Sequence, residues 1–399
     1  MTICVIGGGA AGMMAALTAA QSGHHVLLLE RQNRVGRKLL ATGNGRCNLT
    51  NHHVSPAHYH GQTPDFCRYA LEVFDVQQTL DWFSEKGLVT TCENSGRVYP
   101  YSNMAGSVLD VLRYSLERPE IELHTGCTVT RIRCGNGFTI ETDGGSFHAD
   151  KVILAARGAA GSKVGGVMDG YQLAKALGHH RTALFPSLVQ LKTDPTYPRA
   201  LKGVKAEAGI RISRGSDVLA AGRGEILFTE YGVSGPAIFA LSGAAATGGD
   251  GLTVALDFLP DWDGDATLHW LRQRRSSAGE RESGSLLAGT LHSRLGQMVC
   301  KAAGIATQRA GTLTDGDLQR IAAILRRFTL PITGVCGFDQ AQVTAGGLRT
   351  DEFDETTMQS KLAPGLYACG EVLDIDGDCG GYNLQWAWSS GYLAGLLLE

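Results

Sequence analysis

No two of the ten cysteines stand in a CxxC spacing, and no Cys/His set has the intervals of a zinc site. That absence excludes a zinc ribbon and a thioredoxin-like redox pair, and no metal is expected. No apolar run reaches the roughly eighteen residues that a membrane-spanning helix needs. The opening "MTICVIGGGAAG" reads as a strand from its first residues, so no secretory leader is expected. The expected compartment is the reducing cytoplasm, with most cysteines as small buried hydrophobes and no membrane partner. A dominant sign of charge is missing too. The 36 Lys and Arg against 39 Asp and Glu leave a formal −3, so nothing attracts the whole chain to a polyanion. Repeats, low-complexity tracts and coiled-coil heptads are absent. At 399 residues and 43% hydrophobic, the chain is too long for one small core, and two or three domains are expected.

Glycine is plentiful, at 53 residues, and its placement carries information. The apolar run "TICVI" fits a buried parallel strand, and Gly7, Gly9 and Gly12 follow it in GxGxxG spacing. Alanine-rich "AAGMMAALTAAQSG" reads as a helix packed close to a sheet, and a second strand, "HVLLL", ends at Glu30. Alone, GxGxxG is weak. Within a strand, turn, helix, strand and acid it is strong. The glycines admit a pyrophosphate, the helix start attracts its charge, and the acid accepts from a ribose diol. An acid at that position repels a 2′-phosphate, so the nucleotide expected is FAD or NAD.

The far end selects between them. "GLYACGEVLDIDGDCGGYNLQWAWSSGYLAG", residues 365–395, reads as a strand, then Gly370-Glu371 and Asp374, then a glycine pair opening a helix near Asn383. A Rossmann unit at one end and a strand and helix at the other suit an extended, two-ended ligand. The free N–H groups and positive end of the last helix would favour an anionic flavin ring. FAD is the expected cofactor. The stretch "GRKLLATGNGRCNLTN", residues 36–51, is too polar for core and has no helix or strand period, so it reads as a donor-rich loop.

This loop, together with "GEILFTEYGVSGPAI" and "VTAGGL…TMQSKLAPGLYACGEVLDIDGDCGGYNLQWAWSSG", resembles the signatures of a family of prokaryotic flavoproteins. The family includes bile-acid pathway reductases, a ribosomal-RNA dihydrouridine synthase and enzymes called aminoacetone oxidases. The likeness covers nearly the whole chain and implies a glutathione-reductase-like FAD domain, the 36–51 loop wrapping flavin and pyrophosphate. By that resemblance, Lys38 and Arg46 neutralise phosphate or flavin, while Thr42, Asn44 and Asn48 donate to cofactor oxygens. The first frame contributes Gly7, Gly9, Ala11, Gly12, Glu30 and Arg31, and the loop adds Gly45 and Cys47. Val129 would meet the adenine and Ala155 the last turn. The far end supplies Gly370, Glu371, Asp374, Gly381, Tyr382, Asn383 and Leu384. The sequence departs from the pattern at Ala156-Arg157-Gly158, where the family often has an ATGG turn, and at Glu230, where many members carry histidine.

Residues 66–87 and 103–117 read as amphipathic helices, followed by strands in "IELHTGCTVTRI", "FTIETDGG" and "KVILAA". From Pro186 the texture turns to alternating β-rich runs with glycine turns, as in a small antiparallel barrel or sandwich. From about Asp263 to Arg327 it is helical. The expected organisation is an α/β Rossmann-type FAD domain over 1–186 and 340–399. Inserted in it are a β-rich substrate domain, 187–262 with 331–339, and a helical subdomain, 263–330. Residues 266–330 hold nine Arg and one Lys against two Glu and two Asp, a net charge of +6.

The reaction expected is hydride transfer from reduced flavin to an electron-poor C=C bond of a small steroid- or bile-acid-like enone. Such a reduction needs a donor at the carbonyl and an acid at the adjacent carbon. The candidates are Tyr382, Tyr231, Glu230 and Arg46, each with an ordinary packing or ion-pair role as the plainer alternative. With no second GxGxxG, NAD(P)H would bind only transiently as electron donor. RNA is the weaker partner, because the arginines of the basic segment are not interleaved with aromatic residues. A uracil-reducing RNA enzyme and an oxygen-dependent amine oxidase remain the alternatives. Oligomeric state is not readable.

Overall fold

A computed structural model describes residues 1–305 and 307–399. The chain divides into two compact units, residues 1–185 with 341–399, and residues 186–340. The first is built on β1 (Thr2–Ile6), α1 (Ala10–Gln21), β2 (His25–Glu30), β3 (Tyr59–His60), β4 (Ile121–Thr125), β5 (Lys151–Leu154), β6 (Leu366–Ala368), β7 (Asp376–Gly377) and α2 (Tyr382–Gly395). Five of the strands make one parallel sheet in the order β6-β5-β1-β2-β4. β1 is central, with Ile3 opposite both Lys151 and Val26. Its "ICVI" is buried without alternation, as a strand covered on both faces requires. This is a Rossmann-type arrangement.

Residues Ala11 to Ala20 of α1 are all buried. Small side chains allow this, because α2 packs on α1 backbone to backbone. A β-carbon at Gly391 would collide with Ala11 O, and one at Gly395 would lie 2.6 Å from Ala15 O. On its other faces α2 buries Trp386 and Trp388 almost completely. Neither indole N–H is left unpaired: they donate to Gly370 O at 3.2 Å and Leu49 O at 3.0 Å. Gln385, fully buried, accepts from Thr50 Oγ1 at 2.6 Å and donates to Thr79 Oγ1 at 2.8 Å. α2 is thus fixed to the loop before it in space, residues 48–51, and to the helix Val76–Glu85. The single helix expected over 66–87 is two, Arg68–Val73 and Val76–Glu85. Asp75 breaks it by capping the second with a reciprocal Gln78 bond, a local hydrogen bond that competes with helix continuation.

The second unit is a closed antiparallel barrel. Its strands run, in spatial order, Leu191–Thr193, Gly232–Ser234, Asp217–Phe228, Lys205–Arg214, Leu252–Asp257 and Phe328–Val335. The strand Leu252–Asp257 alternates buried and half-buried residues, the pattern of a wall with one face inward. Helices Gly264–Ala278, Ser293–Ala302 and Asp315–Arg326 share one hydrophobic core with the barrel, joining Leu271, Leu295 and Ile321 to Leu191 and Phe228. The basic residues of these helices hold them together. Arg272 and Arg275 converge on Asp315 at 2.8 and 2.9 Å, Arg326 pairs with Asp257 at 2.9 Å, and Arg274 donates to Leu286 O at 3.1 Å.

Candidate functional site

The first turn of the nucleotide frame is held open by geometry. A β-carbon at Gly7 (φ +109°) would lie 2.6 Å from Ala155 O, and one at Gly12 would overlap Gly7 O. Only glycine lets β1, α1 and the end of β5 converge there. No side chain caps α1 at Gly9, so its first amides are left for a ligand. Glu30 is buried at the end of β2 and accepts from Gly8 N and Gln32 N, both at 2.7 Å. Its carboxylate is thereby fixed and keeps lone pairs for a diol.

Arg157, the departure in the turn after β5, lies against this frame. Its Nε is 3.6 Å from where a β-carbon of Gly9 would be, and Nη1 donates to Val164 O at 2.6 Å. Nη2 is buried with no partner among the described residues. Burial pulls this guanidinium below its ordinary value, and Glu30 and Glu371 oppose the shift. An unpaired cationic donor beside an uncapped helix start fits a bound anion. The frame as a whole fits an adenine dinucleotide, whose pyrophosphate Arg157 and the first amides of α1 would hold.

The 36–51 loop turns tightly, with Asn44 (φ +57°) and Cys47 (φ +58°) both left-handed. Most of the side chains expected to serve a cofactor already hold partners in the chain. Lys38 is ion-paired with Glu371, and Thr42 Oγ1 donates to Leu39 O at 2.6 Å. Arg46 stacks over the Tyr99 ring at 4.0 Å, donates to Asn103 Oδ1 at 2.6 Å and pairs with Glu93 at 2.9 Å. Any cofactor contact by these three exchanges a partner. Asn48 differs: it is buried, and its Oδ1 has no partner among the described residues. That oxygen lies 3.0 Å from where a β-carbon of Gly381 would be. Gly381 (φ +102°) opens α2, and a β-carbon there would also lie 2.5 Å from Thr50 O. The donor-rich loop and the start of α2 therefore meet.

Around that meeting point, Asn383 clamps β7, accepting from Gly377 N at 2.8 Å and donating to Gly377 O at 2.6 Å. Its side chain serves the turn rather than standing free, while Leu384 is partly buried beside it. Asp374 is buried and accepts from Gln62 N at 3.1 Å; burial holds its carboxyl above the ordinary range. Glu371 also accepts from Thr344 N at 3.0 Å, and Gly370 N donates to Ser390 Oγ at 3.0 Å. Arg31 pairs with Asp169 at 2.9 Å, while Val129, Ala155 and Ala11 are buried. Burial pushes the Cys47 thiol up to about 12 and raises Cys379, which leaves both as poor thiolate sources. In the barrel unit, Glu230 forms an exposed pair with Lys202 at 3.0 Å, and burial raises the Tyr231 phenol, with Cys336 adding to the effect.

One cluster at this place was not anticipated. β3 pairs with β7, and Asp378 just beyond β7 holds two imidazoles. His58 Nδ1 is 2.9 Å from Asp378 Oδ2, and His60 Nε2 is 2.8 Å from Oδ1. The His58 ring stacks on Tyr382, centroids 4.4 Å apart at 24°, and Tyr59 OH donates to Tyr382 O at 3.0 Å. Burial raises Asp378, but hydrogen bonds from His60 and His58 outweigh it and hold the carboxyl low. His60 is raised, first by its hydrogen bond to Asp378, against burial. Next to it, burial lifts Asp376 to about 6. The signal in the sequence was four histidines within residues 52–60, "HHVSPAHYH".

A family model described as HI0933-like protein Rossmann domain matches residues 1–397. The 3-dehydro-bile acid delta(4,6)-reductase of Clostridium scindens is 38% identical over 400 residues, 98% of each chain. The ribosomal RNA dihydrouridine synthase of Escherichia coli is 30% identical over 97% of this chain and 95% of its own. The enzyme of that name from Haemophilus influenzae is 27% identical over 99% and 98%.

Proposed function

Because the chain belongs to the HI0933-like protein Rossmann-domain family, we propose that it is an FAD-dependent oxidoreductase that reduces the activated C=C bond of a small enone. The substrate class is a steroid- or bile-acid-like ketone, and NAD(P)H is the transient electron donor. The observation that carries this reading is the 38% identity, across 98% of both chains, to a reductase of that substrate class. Bound FAD would supply the hydride and its electron pair. The chain's own residues supply position and charge. Glu30 accepts from the adenosine ribose, and Arg157 with the first amides of α1 holds the pyrophosphate. Asn48, the 42–48 backbone and the amides opening α2 hold the flavin end. The positive end of α2 favours negative charge on that ring. Among the described residues no second dinucleotide frame occurs, so the nicotinamide donor binds and leaves.

RNA reduction is the second reading, supported by 30% identity to a ribosomal-RNA enzyme. Against it, the arginines of the basic helices are engaged in holding those helices together, and Trp270 packs edge-on to Trp262 at 5.6 Å. Few of these cations are left for phosphates. The deciding experiment is anaerobic reduction of the yellow protein by NADH or NADPH, then mixing with a Δ4-3-ketosteroid or with ribosomal RNA. Reoxidation by the steroid with saturation of its double bond is the expected result. Reoxidation by RNA alone, or by oxygen with an amine as electron source, overturns it.

A further inference from the structure

We propose that His58, oriented by Asp378 with His60 on the carboxylate's other oxygen, is the acid that protonates the substrate carbon during double-bond reduction. The proposal rests on the reductase reading above. Its basis is the placement of the cluster. Asp378 N donates to His58 O at 2.9 Å, and the β3–β7 pairing sets Asp376 opposite His60, so backbone hydrogen bonds fix all three residues. The stack on Tyr382 fixes the plane of the His58 ring. Tyr382 is the first residue of α2, immediately after Gly381, where the loop and helix start converge.

With Nδ1 engaged by the carboxylate, Nε2 of His58 has no protein partner among the described residues and the ring is about one-third exposed. That nitrogen is left open to water or to a ligand. His179 is the contrast. Its side chain is fully buried, and its two nitrogens are taken up by Glu352 at 3.0 Å and Ser360 at 2.9 Å, as in a purely structural histidine. His60 is the more exposed of the pair on Asp378, and it places a second proton-carrying group on the same carboxylate. Asp378 thus orients both rings, and its hydrogen bond raises His60.

Reduced flavin, when bound, would supply hydride and its electron pair to the β-carbon of the enone, which would leave the displaced π pair on the α-carbon. The α-carbon takes the proton from His58 Nε2, so one C–H bond forms as the N–H bond breaks. Neutral His58 then regains a proton from water, and the carboxylate of Asp378 keeps the ring oriented for the next turnover. The ionisable groups around the cluster are Asp374, Asp376, Glu371 with its Lys38 partner, and Arg97, with Tyr59, Cys67 and Tyr382.

The test uses the FAD-loaded full chain and its His58→Gln and Asp378→Asn variants. FAD affinity, ring-proton titration of the histidines by NMR, and single-turnover reoxidation of the reduced protein by a Δ4-3-ketosteroid across pH are measured. The expected result is wild-type FAD affinity in both variants, and reoxidation slowed about 10²-fold in His58→Gln, the usual worth of a positioned acid. In Asp378→Asn the reoxidation slows as the His58 ring loses its orienting partner, and the His60 titration midpoint drops. A His58→Gln protein reoxidised at the wild-type rate with the wild-type pH profile overturns the proposal and leaves the reductase reading intact. Loss of FAD from His58→Gln also overturns it, because the ring then serves the cofactor site. An unchanged His60 midpoint in Asp378→Asn removes the carboxylate from the scheme. Reduced wild-type protein that no Δ4-3-ketosteroid reoxidises defeats the reductase reading itself.

Discussion

Glu30 accepts two backbone N–H groups, so removing its carboxylate acts on the protein and on the ligand at once. Each amide left bare costs about 1–3 kcal/mol. Glu30→Gln keeps one acceptor oxygen and loses the charge, so it is expected to fold and bind FAD at least about tenfold more weakly by equilibrium dialysis. Glu30→Arg is expected to be colourless. Arg157→Met should weaken FAD by a similar factor, about 1.4 kcal/mol for a lost charge-assisted donor; unchanged affinity would free Arg157 from the pyrophosphate. Asp376 gives a pH prediction. Its folded value of about 6 lies above that of an unfolded aspartate, so native protein holds the proton more tightly. The stability this gives is complete below the unfolded value and is lost as pH rises through about 6. Asp376→Asn should therefore raise the melting temperature at pH 8 and leave it nearly unchanged at pH 4. The nucleotide-frame residues were legible because a strand, a turn and an acid at fixed intervals are local facts. The His58–Asp378 contact spans 320 positions and rests on a two-residue strand pair that has no period to read.

At the scale of elements, the contact between α1 and α2 is the least tolerant. Gly391 and Gly395 leave no space for a side chain over Ala11 and Ala15. Gly395→Val, even with its helix geometry intact, must push the two helices apart, an overpacking cost of about 1–3 kcal/mol. The expected outcome is a lower denaturation midpoint with weakened FAD binding, since α2 also carries the helix start proposed to hold the flavin end. A more stable Gly395→Val protein would contradict the packing. β1, α1 and α2 were readable because unbroken apolar or small-residue runs state their own burial. The break at Asp75 was not, because a capping box only shows itself once the helix has to stop.

At the scale of the whole molecule, the second compact unit begins at Pro186. The common core of barrel and helices was hidden, because shared burial is a property of tertiary packing and each segment alone looks self-sufficient. The same packing redirects the charge test. Arg272 and Arg275 brace Asp315, whereas Arg281, Lys301 and Arg327 are exposed. Neutralising these last three should leave steroid turnover within about twofold at low and high salt. If RNA is the substrate, the slope of log affinity against log salt should instead fall by about 0.7–0.9 per lost contact. The order of elements along the chain has a consequence for biosynthesis. β6, β7 and α2 complete the first unit, yet every residue of the second is translated before them. A nascent chain stalled near residue 340 has Glu30 and the glycine frame but exposes the flank of α1 that α2 covers. Such a chain leaves that flank bare until the last helix is made, and only then does Gly381 come against Thr50 and Asn48 to complete the proposed flavin end.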